Sequence, residues 1–227
     1  MQLAQQTPNT DLHKLVIWMI FGGALVSATG ISICVWAQYQ EVGAAVFSLR
    51  ADFLGDYMRT PLAYVYNMAL IMAGLCILLA MYGLYLLKLG HFGHYISFTG
   101  LWVGGSIILM GVFPINYLTE HRVVSTSFLL GTVMLHFLTL AARINHKEIC
   151  SKRLFFISTL GLASALGLMF QLNWQTLDFD ACDPHTGENC YVAANMWLQT
   201  NLTMLWCLML AFTIKKLSHS LQQPQHH

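Results

Sequence analysis

His121 is the side chain best suited to chemistry in this sequence. Glu120 and Arg122 flank it, and Ser125 follows four residues on, on the same face if the segment is helical. An imidazole has an ordinary pKa near neutrality, so it can serve as a general base. It can equally cap a helix end or touch a lipid phosphate. A second charged group lies between residues 41 and 59: Glu41, Arg50, Asp52, Asp56 and Arg59. If Ser48 to Arg59 is helical, Asp52, Asp56 and Arg59 share one face. A third group, Asp178, Asp180, Asp183, His185 and Glu188, contains no Lys or Arg and would attract a cation. It lacks a spaced metal motif, so no metal site is assigned. Were one present, the carboxylates would favour Ca²⁺ or Mg²⁺, and a contribution from His121 or His185 would shift the choice toward Zn²⁺.

These residues must be positioned by helices in a membrane. Of 227 residues, 56% are hydrophobic and only 9% charged. Six apolar stretches of about 19 to 27 residues fill most of the chain, and a helix of about 20 apolar residues crosses a bilayer. Strand-like alternation is missing, which argues against an outer-membrane barrel. The expected spans run from Leu15 to Ala37, Pro61 to Leu87, Tyr95 to Phe113, Val123 to Ala142, Leu154 to Asn173 and Asn195 to Ile214. The fold class is therefore all-α, a polytopic bundle of six transmembrane helices. One domain covers residues 1–217, and a polar, loose tail covers 218–227. The polar N-terminus reads as the lead into a retained first span and not as a cleaved signal. His226 and His227 receive no functional role.

Basic residues set the expected orientation. Eight of them (Lys14, Lys88, Arg143, Lys147, Lys152, Arg153, Lys215 and Lys216) fall at one set of span ends, and three (Arg50, Arg59 and Arg122) at the other. By the positive-inside rule both termini are cytoplasmic. The net charge of +1 and the lack of a basic stripe argue against nucleic-acid binding. Cys182 and Cys190 bracket a Pro/Gly turn on the outer side and are expected to form a disulfide, with two free thiols as the alternative. Gly100, Gly104 and Gly105, and the pair Ala163 and Gly167, let helices approach closely. They are expected to pack within one bundle; a homo-oligomer face is the alternative.

Polar residues inside the spans narrow the choice. Asn67 sits about two turns into the second span, too deep for free hydration. His136 lies near the middle of the fourth span. Haem ligation would need a second imidazole at like depth, and the nearest, His94, is at the wrong level, so no cofactor is assigned. A hydrogen bond from His136 to a backbone carbonyl or a Thr is expected instead. No nucleophile elbow, P-loop or dinucleotide fingerprint occurs. Asn201-Leu-Thr203 matches the glycosylation triplet but lies within a span.

Ala51-Asp-Phe-Leu-Gly55, Thr60-Pro61 and Tyr66-Asn67, together with Gly111-Val-Phe-Pro114 and the downstream His121, resemble a pattern of the Frag/DRAM/Sfk superfamily. The similarity covers about 70 residues, and the nearest branch is the bacterial six-span proteins of unknown function. Ala51 stands where the pattern has Ser. Relatives in that group are linked to lipid handling, so the resemblance implies a role for Asp52, Gly55, Asn67, Gly111, Pro114 and His121. On this reading the protein sits in a bacterial inner membrane and its partners are membrane lipids. A polar pocket at the extracytoplasmic face would engage a lipid headgroup. Arg50, Arg59 and Arg122 would pair with phosphate, and Asn67, Asp56 and Ser125 would complete the binding set. His121, Asp52 and Glu120 are the candidates for catalysis if the lipid is modified by a hydrolase or transferase. A transporter or redox protein is a third expectation. Against it stand the missing internal repeat and the lack of a mid-bilayer charge.

Overall fold

The computed structural model describes residues 10–145, 150–180, 182 and 190–222. Six helices dominate it: α1 (Thr10–Val42), α2 (Ala63–Leu86), α3 (Gly90–Val112), α4 (Leu118–Asn145), α5 (Lys152–Gln171) and α6 (Tyr191–Gln222). Each contains a segment long and apolar enough to cross a membrane. The helices overrun their apolar cores, because hydropathy marks the lipid-facing window while the backbone ladder continues until something breaks it. α1 ends at Gly43, whose φ of 62° suits glycine. α3 stops just before the Phe113-Pro114 step. α4 starts early, at Leu118, and thereby takes up Glu120, His121 and Arg122. Ser151 caps α5 by accepting a hydrogen bond from the Leu154 N–H. α6 extends to Gln222, so the beginning of the expected loose tail is helical. Pro61 lies in a turn ahead of α2 and does not start it.

Each helix packs against its neighbours in the chain, and α6 returns to α1, which closes a ring. Neighbours run antiparallel. Gly83 of α2 faces Val16 of α1, and Gly30 faces Ala69. Ser164 of α5 bonds Asn195 of α6, and the Thr213 hydroxyl reaches Ser151. The start of α1 and the end of α6 therefore lie at one end of the bundle, with the α2–α3 and α4–α5 connections. The other three connections share the opposite end. The main core includes Val16, Met81, Ile96, Leu135, Trp206 and Leu210. The small residues serve this ring. A Cβ on Gly100 would strike Met81 and one on Gly104 would crowd Ile77 and Leu78, whereas Gly105 faces open space.

Two features at the connection-rich end were not expected. Residues 48–59 do not form one helix. A 3₁₀ turn, Ala51–Gly55, is followed by a bend, so Asp52 and Asp56 point to different partners. Between α5 and α6 the chain makes a small antiparallel hairpin, β1 (Leu172–Asn173) and β2 (Asp178–Phe179). The Asn173 side chain closes its turn by accepting the Gln175 N–H at 3.0 Å. Cys182 and Cys190 are joined by a disulfide. Asp183, His185 and Glu188, and also Lys147, His226 and His227, fall outside the described residues.

Candidate functional site

The ring encloses a cavity of about 180 Å³ that opens at the connection-rich end. Its mouth is a chain of paired charges. Arg50 leads into the 3₁₀ turn and forks onto Asp52, with Nε donating to Oδ1 at 3.2 Å and Nη2 to Oδ2 at 2.6 Å. Its remaining nitrogen, Nη1, donates to Asp178 Oδ1 on the hairpin at 3.0 Å. Arg122 of α4 closes onto the other oxygen of that carboxylate, with Nε donating to Oδ2 at 3.0 Å. Asp178 is thus gripped by two guanidinium groups brought from opposite sides. Phe53 and Phe179 hold Arg50 between their rings, with centroids 5.4 and 5.6 Å from its Cζ.

His121 joins the cluster from the first turn of α4. Its Nδ1 lies 2.9 Å from the Phe113 carbonyl oxygen. A carbonyl only accepts, so Nδ1 carries the proton. Nε2 then faces Asp52 Oδ2 at 3.5 Å, an electrostatic contact too long for a close hydrogen bond, and it has no hydrogen-bond partner. Burial raises the Asp52 carboxyl, but the His121 contact and the Arg50 guanidinium outweigh it and hold the carboxyl below its usual range. Asp178 follows the same pattern. Burial opposes ionisation there, and Arg122, the Phe179 N–H and Arg50 overcome it. Burial also works against the charge on Arg50, and its two aspartate partners more than restore it. The two arginines and two aspartates balance one another in charge.

Below the mouth comes a belt of polar atoms without protein partners: Asn67 Oδ1, Thr126 Oγ1 and both amide atoms of Gln199. Such groups cost free energy when buried unpaired. Asn67 is held by its own amide, which donates to the Gly55 carbonyl at 3.0 Å. Gly55 makes room for this, since a Cβ there would lie 2.5 Å from Asn67 Oδ1 itself. Deeper still the lining is mainly apolar, with Leu70, Ile77, Ile107, Met110 and Cys207 among its residues, interrupted by Ser27 and Thr203. Asn67 and Ile77 are ten residues apart on α2, so the apolar part reaches about 15 Å below the belt at 1.5 Å per residue.

The residues singled out from the sequence divide accordingly. Arg50, Asp52, Asn67, His121, Arg122 and Ser125 all line this cavity. Asp56, Arg59 and Glu120 do not. Asp56 accepts the Asn116 amide at 2.9 Å and stitches two connections together. Arg59 is three-quarters exposed and pairs loosely with that same carboxylate. Glu120 points to solvent, because its neighbour His121 takes the inward face of α4. The motif residues meet in space. Asp52 faces His121, Asn67 binds Gly55, Gly111 lies against the Asn67 backbone, and Pro114 lines the cavity. Asp178 was visible in the sequence only as one of several loop acids. Gln199, Thr200 and Thr203 were hidden in a span, although polar side chains at 199 and 203 fall on one helical face.

The deep imidazole behaves differently from expectation. His136 is fully buried and neither ring nitrogen has a hydrogen-bond partner. It rests on Gly161 and meets Trp206 edge to face, with centroids 6.3 Å apart. Thr132 and Thr139 bond to their own helix and not to it. His94 instead lies against Tyr85. Among the described residues no three His, Cys, Asp or Glu side chains converge as metal ligands would. Comparison with protein-family models, characterised proteins and solved structures finds no match to this chain.

Proposed function

We propose that this is a multi-pass membrane protein that takes an amphiphile, a membrane lipid, into its central cavity. The observation that carries this is the layering of one continuous cavity: paired charges at the mouth, unpartnered polar atoms beneath, and apolar walls below those. A lipid has the same three layers in the same order: headgroup, linkage and chain. Arg50, His121 and Arg122 would hold the headgroup, and Asn67, Thr126 and Gln199 the linkage. The resemblance of residues 51–67 and 111–121 to a superfamily linked to lipid handling supports this reading. The mouth faces the extracytoplasmic side and both termini the cytoplasm, as in a bacterial inner-membrane protein. At the end of the bundle that bears the mouth, Arg50, Arg59 and Arg122 are each paired with Asp, while Lys88, Lys152, Lys215 and Lys216 gather at the other end.

Lipids extracted from the purified protein test the reading. An amphiphile retained in fixed ratio by the wild type and depleted in Arg122→Gln is the expected result. The same unselected membrane mixture from both proteins would overturn it. For orientation, thiol labelling of intact cells should reach a cysteine introduced at Met58 and not one at Lys152.

One observation favours a second reading, a lipid-modifying enzyme. The Phe113 carbonyl holds the His121 Nδ1–H, so Nε2, which faces Asp52 without a close hydrogen bond, is the nitrogen through which the ring would exchange a proton with a bound lipid. His121→Gln should then abolish lipid turnover while retention, still supported by Arg50 and Arg122, is reduced but not lost.

A further inference from the structure

Asp178 occupies the position that an anionic headgroup would take. Its two oxygens lie between Arg50 and Arg122, the two guanidinium groups of the mouth. Arg50 still has Asp52 as a partner without it, but Arg122 has no other carboxylate among the described residues. The carboxylate comes from the hairpin, and Leu172, Leu177 and Phe179 of that hairpin lie across the cavity. The two ends of the hairpin are held differently: Leu172 is buried in a core with Leu129, Ala165 and Leu168, whereas the Asp178 end rests on this ion pair, two residue pairs of strand and the Phe179 ring. Leu177, directly before Asp178, has a φ of 52°, a left-handed conformation unfavourable for a branched apolar residue. The ion pair therefore holds the Leu177–Asp178 corner in place against local backbone strain.

We propose that Asp178 is an internal counterion displaced by the ligand's phosphate, so that the cavity selects phosphate-bearing anions and the Leu177–Phe179 arm of the hairpin lifts when one binds, while Leu172 stays in its core. This rests on the lipid-binding reading and adds a ligand class and a closing element to it. Phosphate offers Arg122 and Arg50 the bidentate, charge-assisted geometry that Asp178 now supplies. While Asp178 holds the site, only the fraction of molecules with this arm raised is open to ligand, and apparent affinity falls by that fraction.

The test uses the full chain in phosphatidylcholine nanodiscs, with short-chain phosphatidic acid or inorganic phosphate added. Hydrogen exchange of the amides from 177 to 179 reports the arm, and a fluorescent phosphatidic acid reports affinity. Phosphatidic acid should speed exchange of these amides, and Asp178→Asn should bind the probe about tenfold more tightly. Asp178→Glu, which keeps the competing charge, should bind like the wild type and shows that the position tolerates substitution. If inorganic phosphate alone raises the arm, the source is a soluble anion; if only phosphatidic acid does, it is a lipid. Either result supports displacement. Binding without faster exchange of the arm, or Asp178→Asn binding no more tightly than the wild type, overturns the inference and leaves the lipid-binding reading standing. Binding of phosphatidylcholine alone has the same consequence. If no amphiphile and no phosphate binds either protein, both fall together.

Discussion

At the scale of single residues, the mouth of the cavity is an exercise in mutual neutralisation. Asp52 and Asp178 are buried enough to resist ionisation, and their cationic partners reverse that resistance. Both carboxyls end below the usual value of 3.8. Near that pH the unfolded chain binds more protons than the folded one, so their contribution is complete at neutral pH. It is lost as pH falls from the unfolded value through the lower folded ones. Thermal unfolding midpoints measured from about pH 7 down to pH 3 should fall steeply only at the acid end. Asp52→Asn should flatten part of that slope. Asn67 acts through geometry instead. Its amide satisfies the Gly55 carbonyl, and Asn67→Ala strands that acceptor. A loss of about 1–3 kcal/mol is expected in chemical unfolding in detergent.

At the scale of elements, the α2–α3 pair fixes where Asn67 stands relative to His121. Gly111 makes the close approach possible. A Cβ there would lie 2.6 Å from the Asn67 carbonyl oxygen and 2.7 Å from Ile71 Cγ1. Main chain cannot swing aside as a side chain can, so Gly111→Ala must push the helices apart. It should cost about 1–3 kcal/mol, as overpacking does. Gly105→Ala, one turn and a half away on the same helix, meets nothing and should be close to neutral or slightly stabilising. Equal costs for the two variants, measured by thermal unfolding, would mean that close packing of α2 on α3 does not decide the site's geometry. The connections matter as much as the helices. Trp197 of α6 donates its indole N–H to the Leu49 carbonyl at 3.0 Å and ties the segment bearing Arg50 to the ring.

At the scale of the whole molecule, closing α6 onto α1 converts six amphiphilic surfaces into one enclosed volume. A two-layer packing of the same helices would spread the polar residues over separate grooves. Ala24 of α1 lines the cavity, and a Phe there would fill part of it. Added lipid should raise the unfolding temperature of the wild type, because a ligand that binds only the folded state stabilises it. Ala24→Phe should show no such response while keeping its lipid-free stability. A lipid response equal to that of the wild type would place binding on the outer surface of the ring.

Hydropathy alone determined the number of spans and their order, because bilayer thickness imposes a fixed length of apolar helix. One turn signal located an end, Pro114 stopping α3, whereas Pro61 did not begin α2 and most helices ran past their apolar windows. The sequence also named six of the residues that line the cavity, because polar side chains near the ends of apolar helices have few other uses. It misread residues 48–59, where spacing suggests one helical face but a 3₁₀ turn separates Asp52 from Asp56. Glu120 and Arg59 were chosen by adjacency in the chain, and adjacency does not say which side of a helix faces inward. Only the closed ring decided that Asp178, 56 residues beyond Arg122, becomes its partner. It also turned Gln199 and Thr126 toward one volume. Charge pairing and cavity formation depend on distances between elements, and helical periodicity is silent about those distances.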